Sequence, residues 1–173
     1  MDWKIRYNNN KPLVNSFLTG IFYFLFCWSI DFGDTFKGML MNLMLFLPGL
    51  TFPLTTCYYK NNTIKNYDFL RIAHSALSIL IYLGSVWIFS GEGRIKYITI
   101  LAGFSGSFLF LIATKYILKK ELKLIHILLV AVLSGVAFMP YEIIGRLEIL
   151  MGFAVFLWTV INGFLLNLEY KKE

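Results

Sequence analysis

LKLIHILLVAVLSGVAFMPYEIIGRLEILMGFAVFLWTVINGFLLNL, residues 122–168, decides the fold. Its charged side chains are Lys123 at the start and Glu142, Arg146 and Glu148 near the middle, which leaves two long apolar runs joined by a short polar connector. A helix that crosses a bilayer needs about 20 mostly apolar residues, because each adds about 1.5 Å toward a hydrocarbon core about 30 Å thick. By that measure the chain contains six such runs, at 13–30, 38–59, 69–89, 95–118, 122–139 and 143–168. The whole sequence supports this reading: it is 58% hydrophobic and only 15% charged, against roughly 45 to 50% and 25% in an ordinary soluble domain. The expected fold is a single all-α domain, a bundle of six transmembrane helices.

Lysine and arginine set the expected orientation. If the N-terminus is cytoplasmic, twelve of the sixteen basic residues fall on the cytoplasmic side: Lys4, Arg6, Lys11, Lys60, Lys65, Arg71, Lys115, Lys119, Lys120, Lys123, Lys171 and Lys172. The acidic residues divide evenly, so the bias follows the positive-inside rule and puts both termini in the cytoplasm. Because the basic residues are spread over short connectors, the net charge of +6 does not form the contiguous surface that nucleic acid requires. Aromatic residues that prefer the headgroup level fall at the same boundaries, with Trp28, Trp87, Tyr97 and Tyr141 on the outer side and Tyr58, Tyr59, Tyr67, Tyr116 and Tyr170 on the inner. The first run is too long for a cleaved signal and is expected to persist as an anchor. A composition rich in Lys, Asn and Ile is consistent with an AT-rich bacterial genome, and the bacterial inner membrane is the expected location.

Polar and small residues mark where membrane helices meet, since lipid offers no hydrophobic force to drive them together. On the third run Arg71, His74, Ser75, Ser78, Tyr82 and Ser85 recur at three- and four-residue intervals and form one stripe. The stripe reads either as interhelical hydrogen bonding or as a polar pathway. The first run repeats the pattern with Ser16, Gly20, Tyr23 and Cys27. The fourth carries a small face of Thr99, Ala102, Gly103, Gly106, Ser107, Ala113 and Thr114, suited to contact with a second copy or a partner subunit. These three runs are expected to pack on one another. Pro48, Gly49 and Pro53 lie near the middle of the second run, where each proline removes a backbone donor, and a break or kink is expected there. His126 and Asn162 form a possible second polar site. Glu142 and Arg146, four apart on one expected helix, should pair, with Glu148 beside them.

No residue set has metal-ligand spacing, and no cofactor is expected. Cys27 and Cys57 each fall late in their runs, so antiparallel helices carry them toward opposite faces and a disulfide between them is excluded by distance. His74 and His126 share a depth, which leaves open a proton-relay role or bis-histidine haem ligation beside simple packing.

Two resemblances bear on function. Gly103-Phe104-Ser105-Gly106 resembles the GxSG motif of rhomboid intramembrane proteases and lies on the fourth of six helices, as in that family; Asn42 occupies a place similar to their oxyanion asparagine. The resemblance would make Ser105 a nucleophile. However, the last run has no histidine to act as base, and Gly38 stands where a histidine should precede Asn42, so the serine would lack activation. In size and topology alone, the chain also resembles the substrate-binding subunits of energy-coupling-factor vitamin transporters, and no residue carries over. Three readings follow: transport or permeation of a small solute or ion along the third-run seam and the proline break, a non-catalytic accessory subunit, or a membrane enzyme of rhomboid-like or haem-binding type.

Overall fold

The computed structural model describes residues 7–8, 10–29, 47–58, 67–89, 97–145 and 148–170. These residues are mostly helical, with no strand among them. The elements are α1 (Lys11–Ser29), α2 (Leu47–Thr56), α3 (Tyr67–Phe89), α4 (Ile98–Ile117), α5 (Leu124–Val136), the one-turn α6 (Met139–Ile143) and α7 (Glu148–Tyr170). Four segments are long and apolar enough to cross a membrane: 67–88 in α3, 98–117 in α4, 124–143 across α5 and α6, and 149–170 in α7.

The helices close into a ring. α1 packs on α2, α2 on α3, α3 on α4, α4 on α5 and α5 on α7, and α7 returns to α1 in the most extensive contact of the fold. Neighbours run antiparallel, as paired residues show: Asn15 meets Thr55 while Tyr23 meets Thr51, and His74 meets Thr114 while Ser85 meets Gly106. One end of the ring therefore carries Tyr58, Tyr67 and Ile117, and the other Tyr97, Phe138 and Met151. The core fills in two blocks. Phe52, Phe110, Leu111, Ile127 and Leu165 pack toward the Tyr58 end, and Tyr23, Phe138, Ala154 and Val155 toward the Tyr97 end.

Apolar side chains also cover the outside. Ile72 and Phe69 are each 69% exposed, Leu80 63% and Trp87 78%. On α5, Ile125, Leu128, Leu129, Val132, Leu133 and Val136 are exposed, while Ile127, Val130, Ala131 and Ser134 face inward. Water would penalise such a surface by roughly 25 cal/mol for each Å² left uncovered. Acyl chains would not.

The end of the fifth run departs from expectation. The fifth helix stops at Val136 and the single turn of α6 follows. Gly145 then adopts φ 146°, a conformation open to glycine and strained for any residue with a Cβ, and α7 begins at Glu148. A helix from 148 to 170 rises about 34 Å, closer to the hydrocarbon thickness than the longer helix the sequence suggests. Glu142 consequently does not share a helix with the sixth run, and the expected Glu142–Arg146 pair falls outside the described residues with Arg146. The Glu142 carboxylate accepts from the Thr99 hydroxyl at 2.7 Å and from its backbone N–H at 3.4 Å. A negative charge there satisfies donors left open in the first turn of α4. Arg146 and the Glu148 side chain lie outside the described residues.

Close approach explains three further features. The expected association of the first run with the third and fourth is corrected: α1 lies against α7 and α2. There a Cβ on Gly20 would come within 2.9 Å of Phe156, and one on Gly152 within 2.9 Å of the Cys27 Cβ. Of the second run, the described part α2 is one helix from Leu47 to Thr56 with Pro53 inside it; the part before Leu47, on which the expected break or kink at Pro48 bears, lies outside the described residues. Threonine hydroxyls donate to its carbonyls, Thr51 to Leu47 at 2.8 Å, Thr55 to Thr51 at 3.0 Å and Thr56 to Phe52 at 2.5 Å. Gly49 instead lets α2 cross α3, since a Cβ there would meet Ile79 Cα and Tyr82 Cβ at 2.9 Å. The small face of α4 is covered within the chain: all seven of its residues are buried, with Gly103 against Phe138 and Gly106 against Ser85.

Candidate functional site

The α3 stripe divides into two parts with different surroundings. Toward the Tyr58 end, His74 is fully buried. Its Nδ1 lies 2.7 Å from the Tyr58 hydroxyl and its Nε2 lies 3.0 Å from Thr114 Oγ1. Proton positions follow from counting donors. The single Thr114 hydroxyl proton is donated to the Phe110 carbonyl at 2.8 Å, so Thr114 accepts from His74 Nε2–H. Nδ1 is then the acceptor and Tyr58 its donor, while Tyr58 in turn accepts from Ser75 at 2.8 Å. One neutral imidazole thus completes a chain from Ser75 through Tyr58, His74 and Thr114 to Phe110, joining α3 and α4 to the end of the α2 segment.

Arg71 begins this part of the stripe. Its guanidinium sits 5.2 Å from the centre of the Tyr58 ring and 3.4 Å from Asp68. The arginine stays half-exposed beside the histidine network and does not enter it.

Next to His74 an aromatic layer crosses the bundle. Phe110 lies 5.5 Å from the His74 ring, 5.2 Å from Phe52 and 6.3 Å from Trp158. Trp158 is fixed by donating Nε1–H to the Gly103 carbonyl at 3.2 Å. Beyond this layer lies a cavity of about 90 Å³. Ser78, Tyr82 and Ser85 line it from α3, together with Pro48 and Gly49 from α2, and Tyr23 and Thr159 line it from α1 and α7. No lining residue carries a charge. Ser85 donates to the Ile81 carbonyl at 3.0 Å and the fully buried Thr159 to the Val155 carbonyl at 2.7 Å, so the half-buried Ser85 oxygen is left as an acceptor.

The remaining candidates separate. Asn162 is fully buried and joins three helices, accepting from Ser107 at 2.7 Å and donating to Ser134 at 3.1 Å and to the Trp158 carbonyl at 2.8 Å. His126 is half-buried on the first turn of α5 and takes no part in the Asn162 junction or the His74 chain. Since both His74 nitrogens are engaged, ligating a haem iron would require breaking one of those bonds. Among the described residues there is no cluster of three or more metal-ligating side chains. Ser105 donates to the Ala102 carbonyl at 3.3 Å. The two glycines of its motif serve helix packing, and Asn42 lies outside the described residues.

The sequence reading misses a polar seam between α1 and α2. Tyr7 donates to Asn15 at 3.2 Å, Asn15 to the Thr55 carbonyl at 2.8 Å, Thr19 shares a hydrogen bond with Thr55 at 3.1 Å, and Tyr23 bonds Thr51. Its signal is a set of matched four-residue spacings, Asn15, Thr19 and Tyr23 facing Thr51 and Thr55. Tyr58, expected as an interfacial anchor, turns inward to the histidine.

Comparison with protein-family models, with curated proteins and with solved structures finds no match for this chain.

Proposed function

We propose that this chain is a multi-pass membrane protein with both termini in the cytoplasm, and that it moves a small neutral solute by occluding it in the cavity beside Ser78, Tyr82 and Ser85. The observation that carries this reading is the cavity itself: small, uncharged and mostly apolar, with the Ser85 hydroxyl, whose proton is already given to a backbone carbonyl, among its few polar groups. An acceptor in an apolar wall favours a solute of a few non-hydrogen atoms that brings hydroxyl or amide donors. A bare ion would find no counter-charge there and would lose its hydration at high cost. Opening toward the cytoplasm would require the Phe52, Phe110 and Trp158 layer to part. The accessory-subunit reading is the alternative; the α4 small face that suggested it is buried within the chain. A bacterial inner membrane is the setting that fits the composition.

Two measurements test this. A periplasmic phosphatase fused after Gly91 should be active and one fused after Asn62 silent; the opposite pattern overturns the orientation. In proteoliposomes, stopped-flow light scattering should show faster entry of urea or glycerol than in protein-free vesicles, and Val86→Phe, which fills the cavity wall, should remove most of the gain. Entry no faster than through lipid alone overturns the transport reading.

A further inference from the structure

A second concavity lies on the outer surface, between α2 and α3 at the Tyr58 end. It has a volume of about 430 Å³; Tyr58, Asp68, Arg71 and Ser75 form its polar part, and Leu54, Ile72, Ala76 and Ile79 its apolar part. Its two halves differ in chemistry. At one end is Arg71, whose side chain is 41% exposed, with the Asp68 carboxylate beside it. Beyond it Ile72, Ala76 and Ile79 follow one another at helical spacing along α3, with Leu54 contributed by α2.

Arg71 is held but not neutralised. The Tyr58 ring supports the guanidinium from one side, and Tyr58 is itself fixed by its bonds to His74 and Ser75. The contact with Asp68 is a single 3.4 Å pair whose carboxylate side chain is 92% exposed, the kind of surface pair that contributes little. Most of the five N–H donors of the fork therefore remain available to a phosphate, whose geometry they match bidentately. Arg71 is four residues into α3, about 6 Å along the axis. In the orientation proposed above, that places it at the cytoplasmic headgroup level, where anionic lipids concentrate.

We propose that this groove binds one phospholipid with an anionic headgroup, its phosphate on Arg71 and an acyl chain along Leu54, Ile72, Ala76 and Ile79. The proposal rests on the membrane reading. It does not depend on solute transport. The bound lipid would cover the groove where α2 crosses α3, so the lipid surroundings would act on Tyr58 and α3, which carry part of the histidine network.

The test uses the full chain reconstituted in phosphatidylcholine vesicles, with spin-labelled phosphatidylglycerol or spin-labelled phosphatidylcholine as probe. The expected result is a preference of about tenfold for phosphatidylglycerol, because both lipids carry a phosphodiester but in phosphatidylcholine the choline cation neutralises it and is repelled by Arg71. Arg71→Gln should abolish the preference, Arg71→Lys should retain part of it, and Ala76→Trp should weaken both lipids by blocking the acyl channel. Equal binding of the two lipids by the wild type, or a preference that survives in Arg71→Gln, overturns the proposal. Displacement of phosphatidylglycerol by millimolar inorganic phosphate would instead identify a free-anion site and also overturn it. Resistance to carbonate extraction, measured on the same vesicles, separates these failures from failure of the membrane reading, which would release the protein without detergent.

Discussion

His74→Ala should lower the stability of the detergent-solubilised protein by about 2 to 4 kcal/mol, since each interhelical hydrogen bond in a membrane protein contributes about 0.6 to 2 kcal/mol and the imidazole makes two. Its removal also empties space against Phe110 and Tyr58, which adds a cavity cost. The loss should be larger than that of either partner change, Tyr58→Phe or Thr114→Val, because each of those breaks one link and leaves the other. Pairing His74→Ala with Tyr58→Phe should be clearly less than additive, since the two side chains share one bond. Thermal unfolding followed by tryptophan fluorescence measures each of these proteins. A His74→Ala protein as stable as the wild type, with solute entry lost, would put the imidazole on the pathway and overturn its bracing role.

That network illustrates what the sequence exposes and what it hides. The apolar runs are legible because the bilayer imposes a length, and connectors show as charge. The inward face of α3 is legible too, since His74 and Ser78 are costly against lipid and only one side of a helix can carry them. Neighbours are another matter. Apolar side chains suit lipid and protein alike, so nothing along α1 says that Ser16, Gly20 and Cys27 meet α7 and not α3. Glu142 is misplaced for a related reason. A run of apolar residues through Ile143 and Ile144 hides the turn at Gly145, and once the chain turns there the carboxylate is carried to the first turn of α4. Pro53 shows that a proline in a run does not by itself mark a helix end, since α2 continues through it to Thr56, and Gly49 serves the crossing with α3. The glycine pair in the Gly103-Phe104-Ser105-Gly106 stretch looks catalytic in sequence because glycines of close helix packing and glycines of an active-site motif are the same residue.

The contact between α1 and α7 leads to the sharpest expected result. Gly163→Ala should destabilise the protein severely, and Ser16→Gly should rescue it. A Cβ on Gly163 would overlap both Oγ and Cβ of Ser16, while the next atom, the Pro12 carbonyl oxygen, is at an ordinary 3.5 Å. The obstruction is therefore the serine side chain alone. Ser16 cannot swing away cheaply, because it is fully buried and its hydroxyl donates to the Pro12 carbonyl at 2.6 Å. Two backbones must separate instead, along the most extensive helix contact in the ring, and overpacking of that kind costs about 1 to 3 kcal/mol or more. In the double variant Ser16→Gly with Gly163→Ala, both clashing atoms are gone and a methyl group occupies part of the space they vacate. Stability should return to within about 1 kcal/mol of the wild type, the remaining deficit being the helix penalty of a glycine at position 16. The measurement is a double-mutant cycle on midpoints of thermal unfolding in one detergent. A coupling energy near zero, with Gly163→Ala tolerated alone, would mean that α1 and α7 do not approach at this point, and the closure of the ring through that contact would have to be abandoned.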